Sequence, residues 1–501
     1  MPSEYHLYWG DIHSHCGISY GEGELTHALE AAREHLDFCS VTGHACWPDM
    51  PTDREQYGRV IDQHTRGFAK LRRLWPEVLQ TFEDHYQPGQ FVTFLSYEWH
   101  SCEFGDHTIL LFEPKGEITD APTLGELREK LSDRRAIVFP HHIGYKQGYR
   151  GINWDAFDDS LSPFVEIYSL HGCSESDNAP YPMQHTMGPR DHQSTAAYGL
   201  SLGHKFGLVA NTDHHGGYPG SYGEGRTAVF AGELTREGIW EALSARRVYA
   251  VTGDKIKAWF RVNDAWPGEE TEGVGPREIS LTVEANDFVD HIELIKNNRV
   301  LYRFDGRLPM PAFPGAGEVR AKVRVEYGWG PRDLETDWNL RASVTDGRIA
   351  SVEPCFRGRS VILPEESDAG SGRMANRIVA VDETSCAWTS HTRGNPSVWQ
   401  SATNAMILEV EMPTSAELAL EANGRTFTHP LSDLLEGSRV HVLRGWLTEA
   451  VRIHRAVPAS AYCIDLSWTD QAVESEADFY YVRIAQRNNQ WAWLSPIWVQ
   501  R

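Results

Sequence analysis

Two hydrophobic rhythms divide the chain near residue 254. Before it, short apolar runs alternate with segments whose apolar residues recur every three or four positions. Leu25, Ala28, Leu29, Ala32 and Leu36 mark one helix. Val60, Ile61, His64, Phe68, Leu71, Trp75, Val78 and Phe82 mark a long one, expected to bend or restart at Pro76. Thr123-Leu-Gly-Glu126 has the form of a capping box opening a third, and residues 235–247 give a fourth. Tyr5–Ile12, Phe38–Thr42, Phe91–Tyr97, Thr108–Phe112, Ala136–Phe139, Phe164–Tyr168 and Phe206–Ala210 read as strands. Strands separated by helices imply parallel βα units, and this many imply a barrel or a doubly wound sheet.

After about Lys255 the rhythm shortens to two. Ala258–Val262, Ile279–Val283, His291–Ile295, Ala321–Glu326, Met406–Glu411 and Tyr480–Ile484 alternate between turn residues, which predicts an all-β, sandwich-like region. The expected units are 1–253 and 254–501.

The strands of the first half end in ligand-type residues: His13 and His15, His44, Glu98 with His100, His141 and His142, Glu166 with His171, and Asp213 with His214 and His215. Parallel α/β folds collect their chemistry at the carboxyl ends of the strands, so one rim would gather all six groups. Residues two apart on a strand share a face, so His13 and His15 converge, as do Asp213 and His215. Imidazoles mixed with carboxylates suit Zn, Mn or Fe better than Ca or Mg. A shared acid such as Glu98 can bridge two ions, and such a pair can hold a hydroxide for hydrolysis of phosphoryl or acyl bonds. His142 and His171 are candidate proton donors beside it.

Composition sharpens this reading. Of 23 histidines, 18 precede position 216. The formal charge of −23 disfavours nucleic-acid backbones and anionic membrane surfaces as partners, leaving a small-molecule substrate. No run approaches a membrane-spanning length. The first residues carry no basic-then-apolar leader, and the eight cysteines form no C-x-x-C pair, which together predict a cytoplasmic protein with reduced thiols.

This order of motifs resembles the PHP (polymerase and histidinol phosphatase) superfamily over about residues 4–253. His13-x-His15 looks like its first motif, Val41-Thr-Gly-His44 its second, Glu98 its bridging glutamate, Phe139-Pro-His141 its third, and Thr212-Asp-His-His215 its fourth. Arg247-Val-Tyr-Ala-Val-Thr-Gly253, Tyr327-Gly-Trp-Gly330 and Tyr481-Val-Arg with Ser495-Pro-Ile-Trp498 are similar to a subgroup with a β-rich C-terminal half. The resemblance implies a distorted (β/α)7 barrel. It implies one ion on His13, His15, Glu98 and Asp213, a second on Glu98 and His141, and a third on His44 and His215. Tyr20 stands where the family has an Asp, and Gly43 where it has another, so two ions are the central expectation. The implied activity is hydrolysis of a small-molecule phosphoester. Carboxyl-ester, amide or carbamate hydrolysis is the alternative, and a non-catalytic glycan- or partner-binding protein is a second.

Other residues carry weaker expectations. His107 is a further ligand or proton donor, His214 a packing residue, and Cys16 a small buried hydrophobe. His6, His64, His85, His185 and His192 are structural or surface residues. Residues 216–225 form a loop over the substrate or a plain surface loop, and 172–195 a second irregular segment near the rim. Trp329, Trp338, Trp491 and Trp493 are expected to fill cores rather than stack on glycans.

Overall fold

The computed structural model describes residues 5–179, 181, 187–273, 275–306, 317–332, 334–359, 361, 376–396, 401–471 and 473–501. His185 and part of the 172–195 segment lie outside them. The first half runs β1 (His6–Asp11), α1 (Leu25–Arg33), β2 (Phe38–Cys39), β3 (Gly43–Cys46), α2 (Arg54–His85), β4 (Val92–Thr93), β5 (Leu95–Trp99), β6 (His107–Leu111), α3 (Leu124–Leu131), β7 (Ala136–Pro140), β8 (Phe164–Ser169), β9 (Gly172–Cys173), α4 (Ala196–Ser201), β10 (Gly207–Ala210), β11 (Arg226–Ala231), α5 (Arg236–Ser244) and β12 (Val248–Val251).

Its strands belong to three sheets. One runs β4–β2–β1–β11–β12, the second β3–β5–β6–β7, and the third β10–β8–β9. The pairings β1/β2, β2/β4, β3/β5 and β8/β10 are parallel, as the βα rhythm predicts. By contrast β5/β6, β6/β7, β1/β11 and β11/β12 are antiparallel. Residues 100–106 are too few to form the crossover helix that a parallel β5/β6 pair would need, so the chain reverses there. One apolar cluster draws Ile12, Phe38, Val92, Ile137, Phe164 and Val229 from strands or strand ends of all three sheets, so the sheets surround a shared core.

Helix α2 continues through Pro76 without restarting. Ile61, Leu71, Trp75, Val78 and Phe82 keep one buried stripe across the proline, and that packing outweighs the lost backbone hydrogen bond. Asp53 caps its start by accepting from the amides of Glu55 and Gln56. Thr123 caps α3 as the capping box predicts.

The remainder is rich in β structure. The six-stranded sheet around Glu318–Trp329 and Asn404–Pro413 faces the five-stranded sheet around Glu335–Val344 and Ser385–Arg393. Val323, Val325, Trp338, Trp388, Leu408 and Leu420 fill the core between them. A second set of strands extends the first half directly. Strand Trp491–Gln500 pairs with β12, Ala477–Gln486 pairs with that strand, and Val289–Lys296 follows. The change of rhythm near 254 therefore marks a change in element type within a sheet that runs on across it. Trp338, Trp491 and Trp493 are buried, as expected for core residues. Trp493 has no exposed surface, and its indole N–H donates to Glu175 Oε2 at 2.9 Å, joining the last strand to the segment after β9.

Replacing Trp493 with Ala should lower unfolding free energy by about 3–5 kcal/mol, the usual cost of emptying a buried aromatic site. Denaturant unfolding followed by circular dichroism reads this directly.

Candidate metal centre

The ends of β1, β3, β5, β7, β8 and β10 meet. Backbone hydrogen bonds lace the segments carrying the ligands: Asp213 N to His13 O (2.8 Å), His15 N to His214 O (2.8 Å) and Thr42 N to Ser14 O (2.6 Å). Asp11 anchors this seam. It is fully buried and accepts from Thr212 Oγ1 (2.5 Å), Gly220 N (2.8 Å) and His13 N (3.1 Å). Burial raises its carboxyl to about 6, against the pull of those hydrogen bonds.

Orientation of the two leading histidines follows from what holds their Nδ1 atoms. His13 Nδ1 donates to Glu166 Oε2 at 2.8 Å, and His15 Nδ1 donates to the Thr42 carbonyl at 2.6 Å. A carboxylate and a carbonyl only accept, so both Nδ1 atoms carry protons and both Nε2 atoms turn lone pairs inward. Those two Nε2 atoms lie 3.2 Å apart. Asp213 Oδ1 lies 3.0 Å from His15 Nε2 and 3.5 Å from His13 Nε2, and Glu98 Oε2 lies 3.7 Å from His15 Nε2. Four acceptors converge on one point that calls for positive charge. In the bare protein a proton on His13 answers this. Burial opposes that charge, but Glu166 and Asp213 outweigh burial and raise the imidazole to about 10. A divalent cation satisfies His13, His15, Asp213 and Glu98 at once, so the residues present fit a metal ion.

Glu98 extends the cluster. His44 Nδ1 lies 2.7 Å from Oε2, yet that oxygen has no well-formed hydrogen bond, the arrangement of two donors awaiting one ion. His141 Nε2 lies 3.0 Å and His100 Nδ1 3.2 Å from Oε1. Burial pushes the Glu98 carboxyl up, but His100, His44 and His141 together hold it well below the usual carboxylate range. Asp106 lies 3.4 Å from His142 Nε2 and 3.2 Å from His100 Nδ1, with Arg150 Nε donating to it at 2.7 Å. Glu98, Asp106, His141 and His142 present ligand atoms within 4.8 Å of one another. So do His13, His15 and Asp213; His44, Glu98 and His100; and His15, His44 and His215. Shared members join these into one buried cluster. Asp213, His142 and Arg150 hold positive φ (53°, 34° and 70°), a strained backbone that surrounding contacts keep in place.

The structure thus brings together His13, His15, His44, Glu98, His141, Asp213 and His215. The proposed proton carriers flank them. His171 Nε2 lies 3.0 Å from Asp213 Oδ2, with its Nδ1 2.8 Å from the Tyr145 hydroxyl. His142 keeps a buried Nδ1 without a hydrogen bond. His107 turns away, donating to the Gly105 carbonyl and packing on Trp99. His214 pairs with Glu224 at 2.8 Å, the packing role expected of it. Burial pushes the Cys16 thiol up to about 12, in keeping with a small buried hydrophobe.

Tyr20 stacks on His44 with ring centroids 3.6 Å apart, and its hydroxyl donates to His64 Nε2. His64 is therefore a buried support of the site. A side chain at Gly43 would meet the end of the Leu71 side chain of α2 at 2.5 Å, so a carboxylate there would need Leu71 to shift. The 216–225 loop is a clasp rather than a lid: Tyr218, Ser221 and Tyr222 are buried, and Tyr222 N donates to Phe356 O.

Asp106 and Arg150 escaped the sequence reading. Ligands on parallel strands sit at their carboxyl ends, but β6 runs antiparallel to β5 and β7, so the start of β6 faces the rim. His107 pairs with Trp99 and Pro140 at that end. Gly105-Asp-His107 was the available signal.

A second acid group, Asp254, Glu353 and Cys355, lies between the halves. Asp254 accepts from Tyr222 OH, Gln486 and Asn488, and Glu353 accepts from Lys255 N and Asn286, which makes them a polar staple.

Comparison with known proteins adds the following. Residues 49–118 match a family model described as a protein of unknown function (DUF3604). An uncharacterized protein of Chlamydia trachomatis serovar D is 26% identical over 327 residues, covering 60% of this chain and 49% of that protein. An uncharacterized protein of Chlamydia pneumoniae is 29% identical over 256 residues, covering 46% of this chain and 41% of that protein. The chain thus spans half or less of the length of these curated relatives. A solved two-domain protein from Bacteroides vulgatus, titled as containing a predicted PHP-like metal-dependent phosphoesterase, is 16% identical with a TM-score of 0.33, over 60% of this chain and 86% of that one. Among the described residues no helix is long and apolar enough to cross a membrane.

Glu166→Gln should weaken metal affinity about 10- to 100-fold while leaving the fold intact, because the acceptor that orients His13 is what changes. Metal titration with a competing chelator, beside a circular dichroism spectrum, measures both.

Proposed function

We propose that this chain is a metal-dependent hydrolase acting on a small-molecule phosphoester. The observation that carries the reading is the pair of inward lone pairs on His13 Nε2 and His15 Nε2, 3.2 Å apart beside Asp213 and Glu98. His13, His15, Asp213 and Glu98 would hold one ion. Glu98 and His141, with Asp106 and His142 alongside, would hold a second. His44 and His215 are the remaining pair, and the Tyr20 ring covers one face of His44, so two ions is the proposed complement. The mixed nitrogen and oxygen donors favour Zn, Mn or Fe. Bound, such ions supply Lewis acidity and lower the pKa of a coordinated water toward neutrality.

The chain's own residues do the rest. Glu166 and the Thr42 carbonyl hold His13 and His15 in the tautomer that presents Nε2. Asp213 accepts from His171 Nε2, and burial lowers that imidazole to about 4, so at neutral pH it is a neutral proton carrier rather than a ready acid. His142 Nδ1 is the alternative proton carrier, buried and free of a hydrogen bond. The side chains of His215 and His171 keep 16% and 10% of their surface exposed. That open edge supports catalysis over a closed structural site. On this reading the three sheets of residues 1–253 form a distorted (β/α)7 barrel of PHP type, with 254–501 as a β-rich partner unit. Eight free cysteines support a cytoplasmic setting.

Protein purified without added metal should contain about two equivalents of transition metal by elemental analysis. It should hydrolyse aryl phosphates, with aryl carboxyl esters and carbamates as the comparison set. Asp213→Ala and Glu98→Ala should each lose metal and at least about 100-fold in kcat/KM. Either variant keeping both its metal and its activity would overturn the assignment.

A further inference from the structure

The β-rich half reaches the rim of the metal centre through residues 356–359. Residues 356–359 lie along the 216–225 loop: Gly358 N donates to Ser221 Oγ, Arg357 Nη1 donates to the Tyr222 carbonyl, and the Arg359 carbonyl lies against Gly216, which follows His215. From there Arg359 extends to Glu22, Nη1 to Oε2 at 2.9 Å. Glu22 belongs to the wall of the centre, since its amide donates to the His215 carbonyl and its own carbonyl abuts Gly217.

The two partners differ in exposure. The Glu22 side chain is 11% exposed and that of Arg359 is 37% exposed. The buried carboxylate takes one N–H of the guanidinium while more than a third of the Arg359 side chain stays open to solvent, which leaves further N–H groups for a second oxyanion. Arg190 donates to the His171 carbonyl and Arg150 to Asp106, so two further arginines are anchored to residues of the cluster.

We propose that Arg359 is the anion-recognition residue of this site, supplied by the β-rich half, and that the substrate carries a negatively charged group, as a phosphomonoester does. The proposal rests on the hydrolase reading and deepens it by naming the substrate class. Glu22 positions the guanidinium, which explains why it pairs with Arg359 rather than joining the ligands.

The test uses the full metal-loaded chain with 4-nitrophenyl phosphate and the neutral 4-nitrophenyl acetate. The readout is the ratio of kcat/KM for the charged ester to that for the neutral one. R359Q should lower this ratio about 10- to 100-fold, chiefly through KM for the phosphate, and R359K should recover part of it. Metal content is measured on every variant. An unchanged ratio in R359Q with normal metal content would overturn the proposal, and so would a loss that R359K does not relieve. If the wild type turns over neither ester, the hydrolase reading fails, and inorganic phosphate binding by calorimetry then decides Arg359 separately. Weaker binding in R359Q than in wild type sustains the proposal, and equal binding ends it.

Discussion

The arrangement around the centre depends on one electrostatic constraint: two imidazoles whose protons are committed outward. Glu166 and the Thr42 carbonyl each take the Nδ1–H of a histidine, so His13 and His15 face each other lone pair to lone pair. Asp213 and Glu98 add negative charge to the same point. Such a cluster is costly to bury without a cation. The fold meets that cost with backbone seams between β1 and the segment after β10, and with Asp11 holding Thr212 and Gly220 on the outer side. Left-handed backbone at Asp213 and His142 shows the same priority, because side-chain placement there overrides local backbone comfort.

The second half completes the scaffold. Strand Trp491–Gln500 continues the sheet beyond β12, and the polar staple of Asp254, Tyr222, Gln486 and Asn488 ties the 216–225 loop to it. That loop begins one residue after His215, so the position of the last ligands is set partly by residues far later in the chain. Glu175 shows the coupling from the other direction, accepting from Tyr481 OH and from the Trp493 indole.

Much of the site was legible in the sequence, for a simple reason. A parallel strand puts its carboxyl end at the rim, and ligand-type residues at those ends can be read one segment at a time. His13, His15, Glu98, His141 and Asp213 are of this kind, whereas His44 is the second residue of β3 and reaches the rim from that strand's start. Asp106 was not legible because the direction of β6 depends on a partner strand, and nothing local in Gly105-Asp-His107 discloses it. Arg150 and Arg359 were hidden for a related reason: each acts through a loop whose destination is set by tertiary packing. In the long helix α2, Pro76 suggested a bend or a restart; the buried stripe from Ile61 to Phe82 carries one helix through the proline, so it does not restart. The two rhythms on either side of 254 were real, but hydrogen bonding between strands ignores the change, since a sheet edge accepts any extended segment that matches its register.

Tyr20 and Gly43 are best understood together, because both pack against α2. A Cβ at Gly43 would meet the end of the Leu71 side chain at 2.5 Å, so a larger residue there needs Leu71 to move. His64, from the same helix, donates its Nδ1–H to the Val60 carbonyl and accepts the Tyr20 hydroxyl at Nε2. Tyr20 is thereby held flat against His44, and His44 in turn stacks on His15 with centroids 4.1 Å apart. A long amphipathic helix thus backs His44 with an aromatic wall. The wall braces His44 against Glu98 without adding charge, so the excess of negative charge stays at the point where His13, His15, Asp213 and Glu98 converge.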